Sequence, residues 1–148
     1  MLLDSLTAEE QGLLAGICTV KTYVQDAVVL HEGERDDSLL LVRKGRVEIR
    51  KRLDGGEYKI LATLGPGELF GEIAFLNGTA RSATAVATQP VEILYLTKNS
   101  LEKLASDHPV VGLKVYRSIA EVTAARLVAN TEALRKAVLW AIEGMHVV

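Results

Sequence analysis

The spacing of apolar residues changes twice along the chain. Leu3, Leu6, Leu13, Leu14 and Ile17 line one face of a helix predicted over Asp4–Ile17. Ser5 or Thr7 can cap it, and Thr7 precedes Glu10 by three residues, the spacing of a capping box. From Thr19 to Leu96 the period falls to two. Val47 and Ile49 alternate with Arg46, Glu48, Arg50 and Arg52; Tyr58, Ile60, Ala62 and Leu64 repeat at every second place, as do Val91, Ile93 and Tyr95. Leu39 to Val42 is an unbroken apolar run, which suits a more deeply buried strand. Asp54-Gly55-Gly56 between two alternating runs predicts a hairpin, and Gly33, Gly45, Gly65-Pro66-Gly67 and Gly71 mark further turns. After Leu96 the pattern is helical again. A short helix from Thr97 or Asn99 to Ser106 leads to Pro109, which suits the first turn of a second, long helix reaching about Glu143. On that helix Ala120, Ala124, Leu127, Thr131, Leu134, Val138, Ala141 and Met145 are spaced alternately four and three apart, the seam of a coiled coil. Its early turns are expected to cover the β core and its later turns to meet a partner chain.

Short strands between glycine turns, flanked by helices, predict a mainly β fold. We expect an antiparallel β-roll or jelly-roll-like barrel with a short N-terminal helix and a long C-terminal helix. One domain over 1–148 is expected: a helical segment at 1–18, the β unit at 19–96 and helices at 97–148. Such a length buries roughly 70% of the surface of the unfolded chain, enough for one core. The net charge of −2, from 17 basic and 19 acidic side chains, gives no footprint for nucleic acid or an anionic membrane, so neither partner is expected. The single cysteine, Cys18, excludes an intrachain disulfide and a cysteine metal cluster. With no basic-then-apolar leader and no apolar run near ~20 residues, a cytoplasmic location is expected.

The segment richest in chemistry runs from Phe70 to Ala83. Gly71 permits unusual backbone angles where a strand ends, and a short helical turn from Glu72 to Leu76 follows. The first N–H groups of that turn lack helical partners and suit an anion. Asn77-Gly78 turns the chain back, so Arg81 returns toward the same helix end, with its planar fork for phosphate oxygens and the hydroxyl of Ser82 beside it. A carboxylate at Glu72 repels phosphate but accepts hydrogen bonds from sugar hydroxyls. The residues therefore suggest a sugar phosphate and go no further. A Glu and an Arg nine apart are, in isolation, usually an exposed ion pair of little consequence.

Phe70-Gly71-Glu72-Ile73-Ala74 followed by Arg81-Ser82-Ala83-Thr84-Ala85-Val86 resembles the phosphate-binding cassette of the cyclic-nucleotide-binding family, whose bacterial members include the catabolite activator proteins. His31-Glu32-Gly33, Asp37-Ser38-Leu39, Lys44-Gly45-Arg46-Val47 and Leu64-Gly65-Pro66-Gly67-Glu68 resemble its flanking turns and strands, so the likeness covers about residues 3–140. The resemblance implies a sensor for a cyclic mononucleotide, cyclic AMP or cyclic GMP. Glu72 would hold the ribose 2′-hydroxyl. Arg81 and Ser82 would hold the cyclic phosphate. Gly71, Ile73 and Ala74 would supply backbone contacts. Aligning Arg126-Leu127 with the long helix of the activators places Asn130 and Thr131 at the polar pair that reaches the purine, one residue from each subunit. Arg81-Ser82, where relatives can have Arg-Thr, leans toward cyclic AMP. Signalling through movement of the C-terminal helix, a homodimer along that helix and an unidentified effector protein follow from the same likeness. No catalytic residue, metal or cofactor is implied. A helix-turn-helix domain finds no room within 148 residues, so DNA reading is not expected.

Two other readings remain: an interaction module that uses the fold without a nucleotide, and a receptor for another anionic nucleotide such as cyclic di-GMP. An enzyme is a distant further one. His31, His108 and His146 form no close pair, which counts against a metal site and a metal-dependent enzyme. The Gly65–Gly71 glycines have the wrong spacing for a dinucleotide fingerprint. The basic run from Arg43 to Arg52 reads as the solvated face of a hairpin, and no serine has a His–Asp partner pattern. Trp140 lies off the seam.

Overall fold

A computed structural model describes residues 4–145, with only the backbone of Met145, so Leu3, His146 and the Met145 side chain lie outside the described residues. The elements are α1 (Ala8–Ile17), β1 (Thr19–Tyr23), β2 (Val28–Leu30), β3 (Leu39–Lys44), β4 (Val47–Arg52), a 3-10 turn (Asp54–Gly56), β5 (Tyr58–Leu64), β6 (Leu69–Phe70), α2 (Glu72–Asn77), β7 (Thr84–Ala87), β8 (Val91–Leu96), α3 (Lys98–Asp107) and α4 (Pro109–Met145).

The strands form two antiparallel four-stranded sheets, ordered β1-β8-β3-β6 and β2-β7-β4-β5. This is the expected β-roll with its flanking helices, built as two facing sheets rather than a closed barrel. β3 explains the unbroken run in its sequence. Leu39 and Leu41 join the cluster under the helices, with Leu14, Phe75, Leu101, Val115 and Ile119. Leu40 and Val42 point the other way, into the cluster between the sheets with Val47, Phe70, Ala85 and Ile93. A strand with a core on both faces has no polar side to alternate with.

Two expectations need correction. α1 starts at Ala8, later than the apolar spacing predicts, and Ser5 does not cap it. Thr7 does: the Thr7 N–H donates to Glu10 Oε1 at 2.9 Å, and the Glu10 N–H donates to Thr7 Oγ1 at 3.2 Å. The box closes the helix at that turn. The Lys114 ammonium donates to Glu10 Oε1 at 2.7 Å, ties α1 to α4, and is the main reason the Glu10 carboxyl titrates below its ordinary value. The second correction concerns β5, whose alternation does not mark a buried face. Tyr58 and Ile60 are exposed, and only Leu64 is fully buried, because β5 is the edge of its sheet.

At the α3–α4 corner Gly112 has a packing purpose. A Cβ there would lie 2.4 Å from the Ala105 Cβ, so the glycine that weakens the helix in isolation lets α3 and α4 touch. Val111, Val115 and Ile119 then bury one face of α4 in the core. From Leu127 to Gly144 every residue of α4 is exposed. The seam from Ala120 to Ala141 thus faces away from the chain's own core, and Trp140 is 77% exposed. No helix among the described residues is long and apolar enough to cross a membrane.

Candidate functional site

β6 carries the buried pair Leu69-Phe70 to the mouth of the roll, where the chain must turn sharply. Gly71 makes that turn in the left-handed region, at φ 78°, and caps α2. Left-handed Gly78 ends α2, and the chain returns through Arg81. Two backbone bonds fix Arg81: its N–H donates to the Glu34 carbonyl at 2.8 Å, and its carbonyl accepts from the Gly33 N–H at 2.9 Å.

The Arg81 side chain is then aimed inward and is only 1% exposed. Its Nη1 donates to the Gly71 carbonyl at 3.3 Å, and a Cβ at position 71 would lie 2.6 Å from that nitrogen. Gly71 is therefore required both for its backbone angle and for the space it leaves. Among the described residues Nε and Nη2 of Arg81 have no hydrogen-bond partner. Nη2 stands 3.4 Å from Asp36 Oδ2, an ion-pair distance without hydrogen-bond geometry. A buried guanidinium with two idle donors is costly and is a ready receptor for an anion. Partial burial works against the charged form of Asp36. The Ser38 N–H and the Arg81 charge outweigh it and hold the carboxyl below its ordinary value.

Glu72, at the start of α2, is also buried. Its Oε2 pairs with Arg126 Nη1 at 2.9 Å, and Arg126 Nη2 donates to the Leu69 carbonyl. One arginine of α4 thus grips both a site carboxylate and the strand before it. This resolves the apparent misfit of a carboxylate beside an anion site, since Glu72 is neutralised by a partner of its own.

These groups share a cavity of about 590 Å³. Gly71, Glu72, Ile73, Ala74, Arg81 and Ser82 form its polar end, while Ile49, Leu61, Ala62 and Leu64 form an apolar wall. Thr123, Arg126, Leu127 and Asn130 of α4 close the side. The volume suits a small ligand with one charged end and one flat apolar part. Seven of the eight sequence-predicted residues therefore come together. Thr131 does not line this cavity: its hydroxyl donates to the Leu127 carbonyl at 2.8 Å, on the exposed seam. Sequence reasoning missed Asp36 and Arg126. Arg126 was within reach, because it is the only basic residue of α4 between Arg117 and Arg135 and a buried carboxylate calls for a cation. Asp36 had no such signal, since it lies in an acidic stretch with Glu34 and Asp37. No group of three or more His, Cys, Asp or Glu residues among the described residues could hold a metal ion.

The family model of the cyclic nucleotide-binding domain matches residues 20–108, from β1 to the end of α3. The chain belongs to the cyclic nucleotide-binding domain family. Members of this family use the domain to bind and regulate, not to catalyse. The cyclic AMP receptor protein of Thermus thermophilus is 34% identical over 126 residues, which cover 85% of this chain and 56% of the receptor. The crystal structure of the catabolite activator protein of that organism superposes with a TM-score of 0.80 at 33% identity, covering 90% of this chain and 61% of that one. A cyclic nucleotide-binding domain from Methylobacillus flagellatus gives a TM-score of 0.80 at 27% identity, covering 90% and 75%. Glutaminase 1 of Bradyrhizobium diazoefficiens is 35% identical over 86% of this chain, but the match is 20% of the enzyme's length. The chain thus spans little more than half of the Thermus receptor and a fifth of the glutaminase.

An anion arriving at Arg81 would have to compete with Asp36 for the guanidinium. With cyclic AMP as the test anion, Asp36→Asn should tighten binding by about three- to tenfold, since the vacated guanidinium would gain more from a phosphate. The same change should lower the melting temperature of the ligand-free protein. Calorimetric titration beside thermal denaturation checks both signs, and weaker binding would show that Asp36 orients Arg81 rather than competes for it.

Proposed function

We propose that this domain is a sensor for a cyclic mononucleotide, with cyclic AMP as its ligand. The observation that carries the reading is the buried Arg81 with two idle donors, facing a cavity that also holds a charge-compensated carboxylate. The cyclic phosphate would lie on Arg81 and Ser82, near the first N–H groups of α2. Backbone contacts would come from Gly71, Ile73 and Ala74. The ribose 2′-hydroxyl would donate to Glu72, which can keep Arg126 on its other oxygen. The base would then rest along Leu61 and α4 at Asn130, and Thr131, which faces away, would serve the pocket of a second copy. The Thermus relative is a cyclic AMP receptor, which supports the same ligand class.

Ligand binding would act on α4 through Arg126. The guanidinium bridges Glu72 and the Leu69 carbonyl, so groups arriving at Glu72 change how the helix is held. The output would pass along the seam to a partner chain or an effector protein.

Titration of the purified domain with cyclic AMP, cyclic GMP and cyclic di-GMP tests the reading directly. Saturable one-to-one binding of cyclic AMP is expected, with weaker binding of cyclic GMP. Cyclic di-GMP should fail to compete. Silence from all three would favour an interaction module instead. The ribose assignment has its own test. 2′-Deoxy cyclic AMP should bind about tenfold more weakly than cyclic AMP to the wild type, the worth of one charge-assisted hydrogen bond. Against Glu72→Ala the same ligand should lose almost nothing further, since the acceptor is already gone. If the two losses multiply, Glu72 does not hold the ribose.

A further inference from the structure

A second cavity lies between α1 and the outer face of the first sheet, and the nucleotide site makes no use of it. Its volume is about 260 Å³. Leu39, Leu41, Leu94 and Leu96 form the sheet side, and Gln11, Leu14, Ala15 and Cys18 form the helix side. An apolar cavity of about 150 Å³ holds a benzene molecule of six carbons, so about 260 Å³ has room for about ten. The one charged lining residue is Arg43, which is half-exposed. Arg43 and Lys44 share a single carboxylate, Glu92, at 3.2 Å and 3.7 Å, so one positive charge at this edge is left over.

We propose that this cavity is a second binding site for a free carboxylate with an unbranched apolar tail of about ten carbons. The tail would lie over Leu39, Leu41, Leu94 and Leu96. The carboxylate would accept two N–H bonds from the fork of Arg43, a geometry that a guanidinium offers and an ammonium does not.

Cys18 gives a local readout, because it is the only cysteine and it lines the cavity. Burial raises its thiol pKa to about 11, so alkylation by iodoacetamide is best followed in mildly alkaline buffer. Decanoate, kept below its micelle concentration, should slow alkylation saturably. At ten times its dissociation constant the slowing should be about tenfold, because only the empty cavity reacts. Arg43→Gln should weaken decanoate about tenfold while leaving decanol unchanged. Ala15 is exposed at the rim, so Ala15→Trp should block the mouth without disturbing the core. Circular dichroism confirms that both variants are folded. Protection by decyltrimethylammonium equal to that by decanoate would overturn the proposal, as would unsaturable protection or full decanoate protection in Arg43→Gln. None of these readouts depends on nucleotide binding.

Discussion

Arg81→Ala should lower cyclic AMP affinity by at least about 100-fold, the expected cost of losing two or more charge-assisted hydrogen bonds at about 1.5–3 kcal/mol each. Arg81→Lys should recover only part of this, because a point charge cannot span two phosphate oxygens and sits on a more mobile stem. The effect on stability should be small. The Arg81 guanidinium is buried, with two nitrogens lacking hydrogen bonds among the described residues. Removing it relieves that desolvation and leaves a cavity, two terms of similar size and opposite sign. The melting temperature of Arg81→Ala without ligand should therefore stay within a few degrees of wild type. A residue that merely held the turn together would lower both quantities at once. Calorimetry and thermal denaturation on the same samples separate the cases, and a variant that binds within tenfold of wild type would remove Arg81 from the site.

The second large effect belongs to α4. Wild-type protein at micromolar concentration should sediment as a dimer, and Leu134→Asp should sediment as a monomer. Leu127 and Leu134 are each about two-thirds exposed in the single chain, at 66% and 65%, and Val138 is 50% exposed. Covering a Leu or Val fully contributes about 1.5–3 kcal/mol, and a parallel pair would cover several on each chain. An Asp at position 134 would face its own copy across the seam, so two unpaired charges would be buried in one contact. Ala133→Asp, off the seam on the outer side of the helix, should leave the dimer intact. A monomeric wild type, or a dimeric Leu134→Asp, would rule out the seam as the interface.

The parts of this molecule legible in its sequence are those fixed by local chemistry. The Thr7–Glu10 box, the Asp54-Gly55-Gly56 hairpin and the long helix from Pro109 appear where spacing and turn residues place them. The polar end of the site was legible too, because Gly71, Glu72 and Arg81 lie in one short excursion of the chain. What was missed depends on long-range pairing. Arg126 meets Glu72 across 54 positions of sequence, and Asp36 meets Arg81 across 45. Burial on β5 was misread for a related reason. Alternation reports that a strand has two faces, but its position within the sheet decides whether anything covers them.

The long helix also has a mechanical side. Between Leu113 and Glu143 it contains neither proline nor glycine, so it has no joint along that length. Its root is held where Gly112 meets Ala105, and Arg126 grips it partway along. Leu134 stands eight residues beyond Arg126, about 12 Å further along the axis. A rod anchored at one end and pulled near its middle is a lever. Its free end travels farther than the point where the force is applied. A tilt too small to disturb the cavity around Glu72 would therefore displace the exposed seam by a larger distance, with the end of the buried stretch at Ile119 as the fulcrum.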